Sequence, residues 1–181
     1  MIPYRLIRSG RKTLAIQMTP AGEVILRGPN RMSRKEAEAF LESKRPWVEA
    51  QLAKLLARPQ LPPLTDEEIR DLVSRAKEDL PRRVARFAPV VGVGFGRITI
   101  RSQRTRWGSC SAKGNLNFNC LLMLCPEEIR DYVVIHELCH RKQLNHSARF
   151  WTEVEKVCPD YARRRAWLKE QGGALIARLP A

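Results

Sequence analysis

The chain has little histidine, no long apolar run and no paired-cysteine motif, and each scarcity removes a class of protein. No stretch of its 181 residues reaches the ~18–20 consecutive apolar residues of a membrane span. The N-terminus, Met1-Ile2-Pro3-Tyr4-Arg5, lacks the apolar core of a secretory signal. The five cysteines, Cys110, Cys120, Cys125, Cys139 and Cys158, form no C-x-x-C pair and are odd in number. Reduced thiols in a cytoplasm fit that pattern better than a disulfide framework. No glycine-rich phosphate loop is present. Carboxylates are also scarce: 19 acidic residues face 33 basic ones, a net charge of +14. Such a charge suits an anionic partner, either nucleic acid or an anionic substrate, and it also serves plain solubility. The basic residues are spread along the chain, with short clusters at Arg163-Arg164-Arg165 and through Arg97, Arg101, Arg104 and Arg106.

The few histidines are concentrated. All three lie in one eleven-residue stretch, His136-Glu137-Leu138-Cys139-His140-Arg141-Lys142-Gln143-Leu144-Asn145-His146. On a helix, positions i and i+4 stand one above the other on one face. His136 and His140 can therefore share one tetrahedral ion at roughly 2.0–2.1 Å. His146 falls where the helix should have ended, as a third ligand returning from a loop would. Glu137 lies about 100° round the helix from His136, given about 3.6 residues per turn. It stands beside the ion rather than on it, where a general base belongs.

The motif helix reads clearly from its ends and faces. Pro126 followed by Glu127 and Glu128 is a strong start, and Arg141 and Lys142 suit the negative end of the dipole. Ile129, Val133, His136 and His140 share a stripe, while Val134, Ile135, Leu138 and Cys139 cover much of the rest. A helix apolar on most sides is buried. Glu137 is then a carboxylate among hydrophobes, which is costly unless it has a partner. Water on a metal is one such partner; an arginine is another. Cys139 faces away from the ion and reads as a small core residue.

Upstream of the motif, Thr13 to Met18 and Glu23 to Arg27 flank Pro20-Ala21-Gly22 as a hairpin, with an earlier strand near Tyr4 to Arg8. Ser33 with Glu36 forms a capping box that opens a helix, and Pro46 breaks or restarts it. Arg58-Pro59-Gln60-Leu61-Pro62-Pro63 is the best linker. The expected organisation is an N-terminal hairpin-and-helix segment over residues 1–58 and a second domain over 64–181, or one compact unit overall. Thr65 and Glu68 cap a further helix carrying Ile69, Leu72, Val73 and Ala76, which Pro81 should interrupt near its end and which Val84 and Phe87 could extend. Strands are expected over Arg97 to Arg101, Arg106 to Ser111 and Asn115 to Asn119, with a turn at Ala112-Lys113-Gly114. The last of these places Asn115, Asn117 and Asn119 on one face, where they could bind an extended peptide or simply meet solvent. Ser147 caps a helix over Ala148 to Val157. Pro159-Asp160 opens another, which Gly172-Gly173 should end.

The spacing of His136, His140 and His146 equals the extended metzincin pattern, but Gln143 stands where metzincins have glycine and no methionine follows Met123. The chain more closely resembles the YgjP-like metallopeptidases. The matching residues are Arg106-Trp107-Gly108-Ser109-Cys110, then Asn119 through Pro126, His136 to His140, and Asn145-His146-Ser147 with Phe150-Trp151. The N-terminal strands, Pro46-Trp47 and Pro159-Asp160-Tyr161 also fit, so the resemblance covers nearly the whole chain. Wss-type and SprT-type proteases look like more distant relatives. The resemblance implies an α+β zincin-like fold with a mixed or antiparallel sheet packed on an active-site helix. It implies one zinc ion held by His136, His140 and His146, with Glu137 as base, acting on a peptide or protein. Tyr161, Arg106 and the Asn115 to Asn119 face, Asn117 at its centre, are candidates for the transition-state or substrate contacts that such sites add. Two other readings stay open: a metal-dependent phosphohydrolase acting on nucleotides, and a basic, nucleic-acid-associated protein with a structural zinc.

Overall fold

The computed structural model describes residues 2–19, 22–57 and 61–180. They fall into two compact units, Met1–Gln60 and Leu61–Ala181. Pro20 and Ala21 of the expected hairpin loop, and Arg58, Pro59 and Gln60 of the proline-rich stretch, lie outside the described residues.

The first unit holds strands β1 (Tyr4–Ser9), β2 (Ala15–Met18) and β3 (Val24–Pro29), then helices α1 (Arg34–Ser43) and α2 (Arg45–Leu56). β2 and β3 form the expected antiparallel pair, Met18 opposite Val24, and β1 lies parallel to β3 on its other side. Ser33 and Glu36 close their capping box: the Glu36 carboxylate accepts from the Ser33 amide at 2.7 Å, and Ser33 Oγ accepts from the Glu36 amide at 3.2 Å. Pro46 falls in the first turn of α2, where its missing amide costs nothing. Val24, Leu41 and Val48 form one small core, and Leu26, Met32 and Ala37 another.

The second unit opens with α3 (Asp66–Val91), capped by Thr65 and Glu68 as the sequence suggested. The helix does not break at Pro81; it runs on for a further ten residues through Pro89 to Gly92, which takes the left-handed conformation of a C-cap. The physical reason is a long buried stripe. Leu72, Ala76, Leu80, Val84, Ala88 and Val91 all face the core, and their burial outweighs the roughly 3 kcal/mol a mid-helix proline costs.

Strands β4 (Ile98–Arg101), β5 (Gly108–Cys110) and β6 (Leu116–Asn119) make a mixed sheet of order β4-β6-β5. β4 is parallel to β6, and β5 is antiparallel to it. The β5–β6 turn closes at Gly114, whose φ of 83° an L side chain would resist. A 3-10 turn over Cys120–Leu124 then leads into α4 (Glu127–Cys139), the motif helix. Ile129, Tyr132, Val133, Val134, Ile135, Leu138 and Cys139 of α4 are all buried, as a helix apolar on most sides requires.

Helix α5 (Ala148–Val157) begins at Ser147, whose hydroxyl accepts from the Phe150 amide. Helix α6 (Tyr161–Ala177) runs straight through Gly172-Gly173 instead of stopping there. A Cβ on Gly172 would meet the Trp107 ring at 3.0 Å, so glycine here admits an indole rather than ending a helix. Charged groups tie α3 to α4: Arg83 Nε donates to Asp79 at 2.7 Å, Arg83 also bonds Asp131, and Arg130 reaches Asp79 at 3.2 Å. A small mixed sheet with helices packed on it is the α+β arrangement expected from the sequence. No described helix is long and apolar enough to cross a membrane.

Candidate metal centre

The i, i+4 spacing on α4 does what a helix must do with it. His136 and His140 stand one turn apart, their ring centroids 5.0 Å from each other. Helix α4 ends at Cys139 with His140 as its C-cap, and the chain then turns through Arg141 to Asn145 to bring His146 back. His146 Nε2 lies 2.9 Å from His136 Nε2. One ring nitrogen from each of the three histidines falls within 4.8 Å of the others. Ligands held tetrahedrally at 2.0–2.1 Å from one ion stand roughly 3.3 Å apart, so three donors grouped this closely fit a single metal.

The protonation states agree with that reading. Burial, followed by the neighbouring charges of His140, His146 and Arg165, pushes the His136 pKa down to about 3. Burial and the charges of His140 and Arg165 also lower that of His146. Both rings are neutral near pH 7 and offer lone pairs, as metal ligands must. His140 Nδ1 lies 2.9 Å from the Gln143 carbonyl, which only accepts, so Nδ1 carries the proton and Nε2 is free for an ion. His136 Nδ1 is buried without a partner among the described residues. Its Nε2 is the nitrogen that faces His146, so a neutral ring offering Nε2 to an ion carries its proton on this unpartnered Nδ1.

Glu137 points toward strand β5 and is 5% exposed. Burial pushes its pKa up to about 8, against the opposing pull of the Arg106 charge. Gly108 makes the room: a Cβ there would lie 2.6 Å from Glu137 Oε1 and 2.7 Å from its Cγ. The glycine of Arg106-Trp107-Gly108 is therefore a seat for the carboxylate. A divalent ion on the three imidazoles would oppose the upward shift and favour the ionised form.

Aromatic rings wall the cluster. Phe150, fully buried on α5, stands 4.5 Å from the His140 ring, 4.8 Å from His136 and 4.9 Å from His146, measured between centroids. Trp151 stacks on His146 at 5.7 Å, and Tyr161 stacks on Trp151 at 5.2 Å. Tyr161, half-buried at the start of α6, thus joins the wall one ring removed from the histidines. Arg106 is exposed and acts on Glu137 through charge. Asn117 is half-buried on β6 and donates to Ser109 Oγ at 3.2 Å. Its neighbours in the amide row are committed internally: Asn119 is fully buried, donating to the carbonyls of Gln103 and Arg106 and accepting from Leu121, and Asn115 accepts from the Arg97 amide. Asn119 is thus withdrawn into the interior, while Asn115 and Asn117 keep part of their surface exposed.

Sequence reasoning missed Tyr132, buried with its ring 5.8 Å from that of His136 and its pKa raised by burial to about 12. Its place four residues before His136 was the available signal. It also missed Arg165, whose guanidinium lies 4.6 Å over the Trp151 ring, one helical turn beyond Tyr161.

A cluster of three imidazoles beside a buried carboxylate defines a metal-dependent hydrolase class of site. The chain belongs to the YgjP-like metallopeptidase family: the family model described as YgjP-like, metallopeptidase domain, matches residues 12–72 and 66–171. No curated protein matches it. Among solved structures it is similar to the metallopeptidase zymogen of Pyrococcus abyssi abylysin, at 28% identity over 50% of this chain and 93% of that one, with a TM-score of 0.44. The metallopeptidase zymogen of Methanocaldococcus jannaschii jannalysin is similar at 21% identity over 49% and 94%, with a TM-score of 0.42. These comparisons do not support a nucleic-acid partner.

Proposed function

We propose that this protein is a zinc-dependent peptidase in which His136, His140 and His146 hold the ion and Glu137 is the general base. The observation that carries the reading is the convergence of three imidazole nitrogens within 4.8 Å beside a carboxylate buried at 5% exposure. Zinc, when bound, supplies positive charge that acidifies a water toward pKa ~7 and polarises a substrate carbonyl. The chain's own residues do the rest. Glu137 takes the proton of the attacking water on its carboxylate and later gives it to the leaving amine. Gly108 lets that carboxylate lie against β5. The Gln143 carbonyl holds His140 in one tautomer. Phe150 and Trp151 keep bulk water from one side of the rings, which strengthens every charge interaction within. Of the candidate transition-state donors, Tyr161 is nearest in kind to the task, because its ring belongs to the aromatic wall beside the histidines rather than to the sheet.

The test is Glu137→Gln, assayed beside wild type on unstructured protein and fluorogenic peptide libraries, with metal content measured on the same samples. The variant keeps its metal and loses turnover by on the order of 10²–10⁴-fold. Full turnover in the variant would remove Glu137 from the mechanism.

A further inference from the structure

The sheet has two free edges with different surroundings. β5 lies beside Glu137, and β4 lies at the opposite edge, paired among the described residues with β6 alone. The Leu116 amide donates to the Arg97 carbonyl at 2.9 Å. In a parallel ladder alternate residues bond to the partner strand, so the backbone groups of Ile98 and Ile100 face outward, unclaimed by the sheet.

Along that edge runs a groove of about 540 Å³, lined by β4, Arg97, and Lys77 and Pro81 of α3. Its charged lining consists of Lys77, Arg97 and Arg101, with no carboxylate among the residues that form it. None of these three cations forms a salt bridge among the described residues, although many other arginines of this chain do. Pro81 sharpens the site further. It has no amide to give the Lys77 carbonyl four residues before it, so an acceptor on the helix side lacks its usual partner.

We propose that the β4 edge is a docking groove for an extended acidic segment of another protein. Such a segment adds a strand beside Ile98 and Ile100 through main-chain hydrogen bonds and sets its carboxylates against Lys77, Arg97 and Arg101. The same cations repel a second copy of this edge, which keeps the strand from pairing with itself while leaving it open to a partner of opposite charge. The inference stands apart from the metal centre, since the groove shares no residue with it.

The experiment uses the full chain carrying Glu137→Gln, so that no probe is cut. The probe is a fluorescein-labelled peptide of about ten residues alternating glutamate with valine, which favours an extended strand, read by anisotropy. Two comparison probes carry the same charge: the peptide with a central proline, and an oligothymidylate. The alternating peptide saturates the protein. Binding weakens about tenfold or more with the central proline, and by a similar factor in Arg97→Glu/Arg101→Glu and in Lys77→Glu, the last being an exposed helix position that leaves the sheet untouched. Amide exchange at Ile98 and Ile100 slows in the presence of the peptide. Equal binding of the proline peptide, tighter binding of the oligothymidylate, or no saturable binding would each overturn the proposal.

Discussion

Gly108 is the residue on which the geometry of Glu137 turns. An alanine methyl would stand 2.6 Å from Oε1 and 2.7 Å from Cγ of a carboxylate that is itself buried, so the side chain would have to move. Gly108→Ala is predicted to keep the fold and the metal while cutting turnover by on the order of 10²-fold, the scale of a misplaced catalytic group. Turnover and metal content measured together check this; wild-type turnover would mean that the carboxylate position does not matter. The histidines themselves were legible because helical periodicity alone puts i and i+4 on one face. The seat for Glu137 was not, because it depends on which strand edge meets α4, and nothing local in Arg106-Trp107-Gly108 says so. The burial of Asn119 was not legible for a related reason. Strand alternation gave the correct faces for Asn115, Asn117 and Asn119, but not the loop carbonyls of Gln103 and Arg106 that consume Asn119.

At the scale of elements, two breakers did not break. Pro81 and Gly172 sit inside helices because burial against neighbours outweighed local preference, and those neighbours are distant in sequence. The capping boxes at Ser33 and Thr65 were legible for the opposite reason: each is settled within four residues. Leu80→Ala, a fully buried change on the α3 stripe, is predicted to cost about 2–5 kcal/mol in a denaturant titration. A cost under about 1 kcal/mol would mean that the stripe does not anchor the helix. The α3–α4 ion cluster makes a pH prediction. Burial alone would raise the Asp79 pKa, but hydrogen bonds and charge from Arg83 and Arg130 outweigh it and hold the value below the ordinary one. Asp79 therefore adds stability that is present above the ordinary carboxylate range and is lost as pH falls through its lowered folded value. In Asp79→Asn the acid limb of the stability curve flattens; an unchanged acid limb would exclude Asp79 as its source.

At the scale of the molecule, the net charge of +14 suited an anionic partner or plain solubility, and the structure gives part of that charge more specific places. Arg83 and Arg130 fasten helices, Arg106 and Arg165 act electrostatically on the metal site, and Lys77, Arg97 and Arg101 line one groove. A total charge cannot reveal this partition, because it carries no positions. The metal couples to the whole fold through mass action. An ion bound only by the native state adds roughly 4 kcal/mol at a thousandfold excess over its Kd, so a chelator is predicted to lower the thermal midpoint by several degrees. A midpoint indifferent to chelation and to added zinc would argue against a site formed by folding.

The most direct test of the account is metal content by elemental mass spectrometry on untagged protein, wild type beside His146→Ala. About one zinc per chain is expected in the wild type, and its loss or marked weakening in the variant. Wild-type protein that carries no metal, even after zinc is offered, would contradict it and leave the three rings as packing.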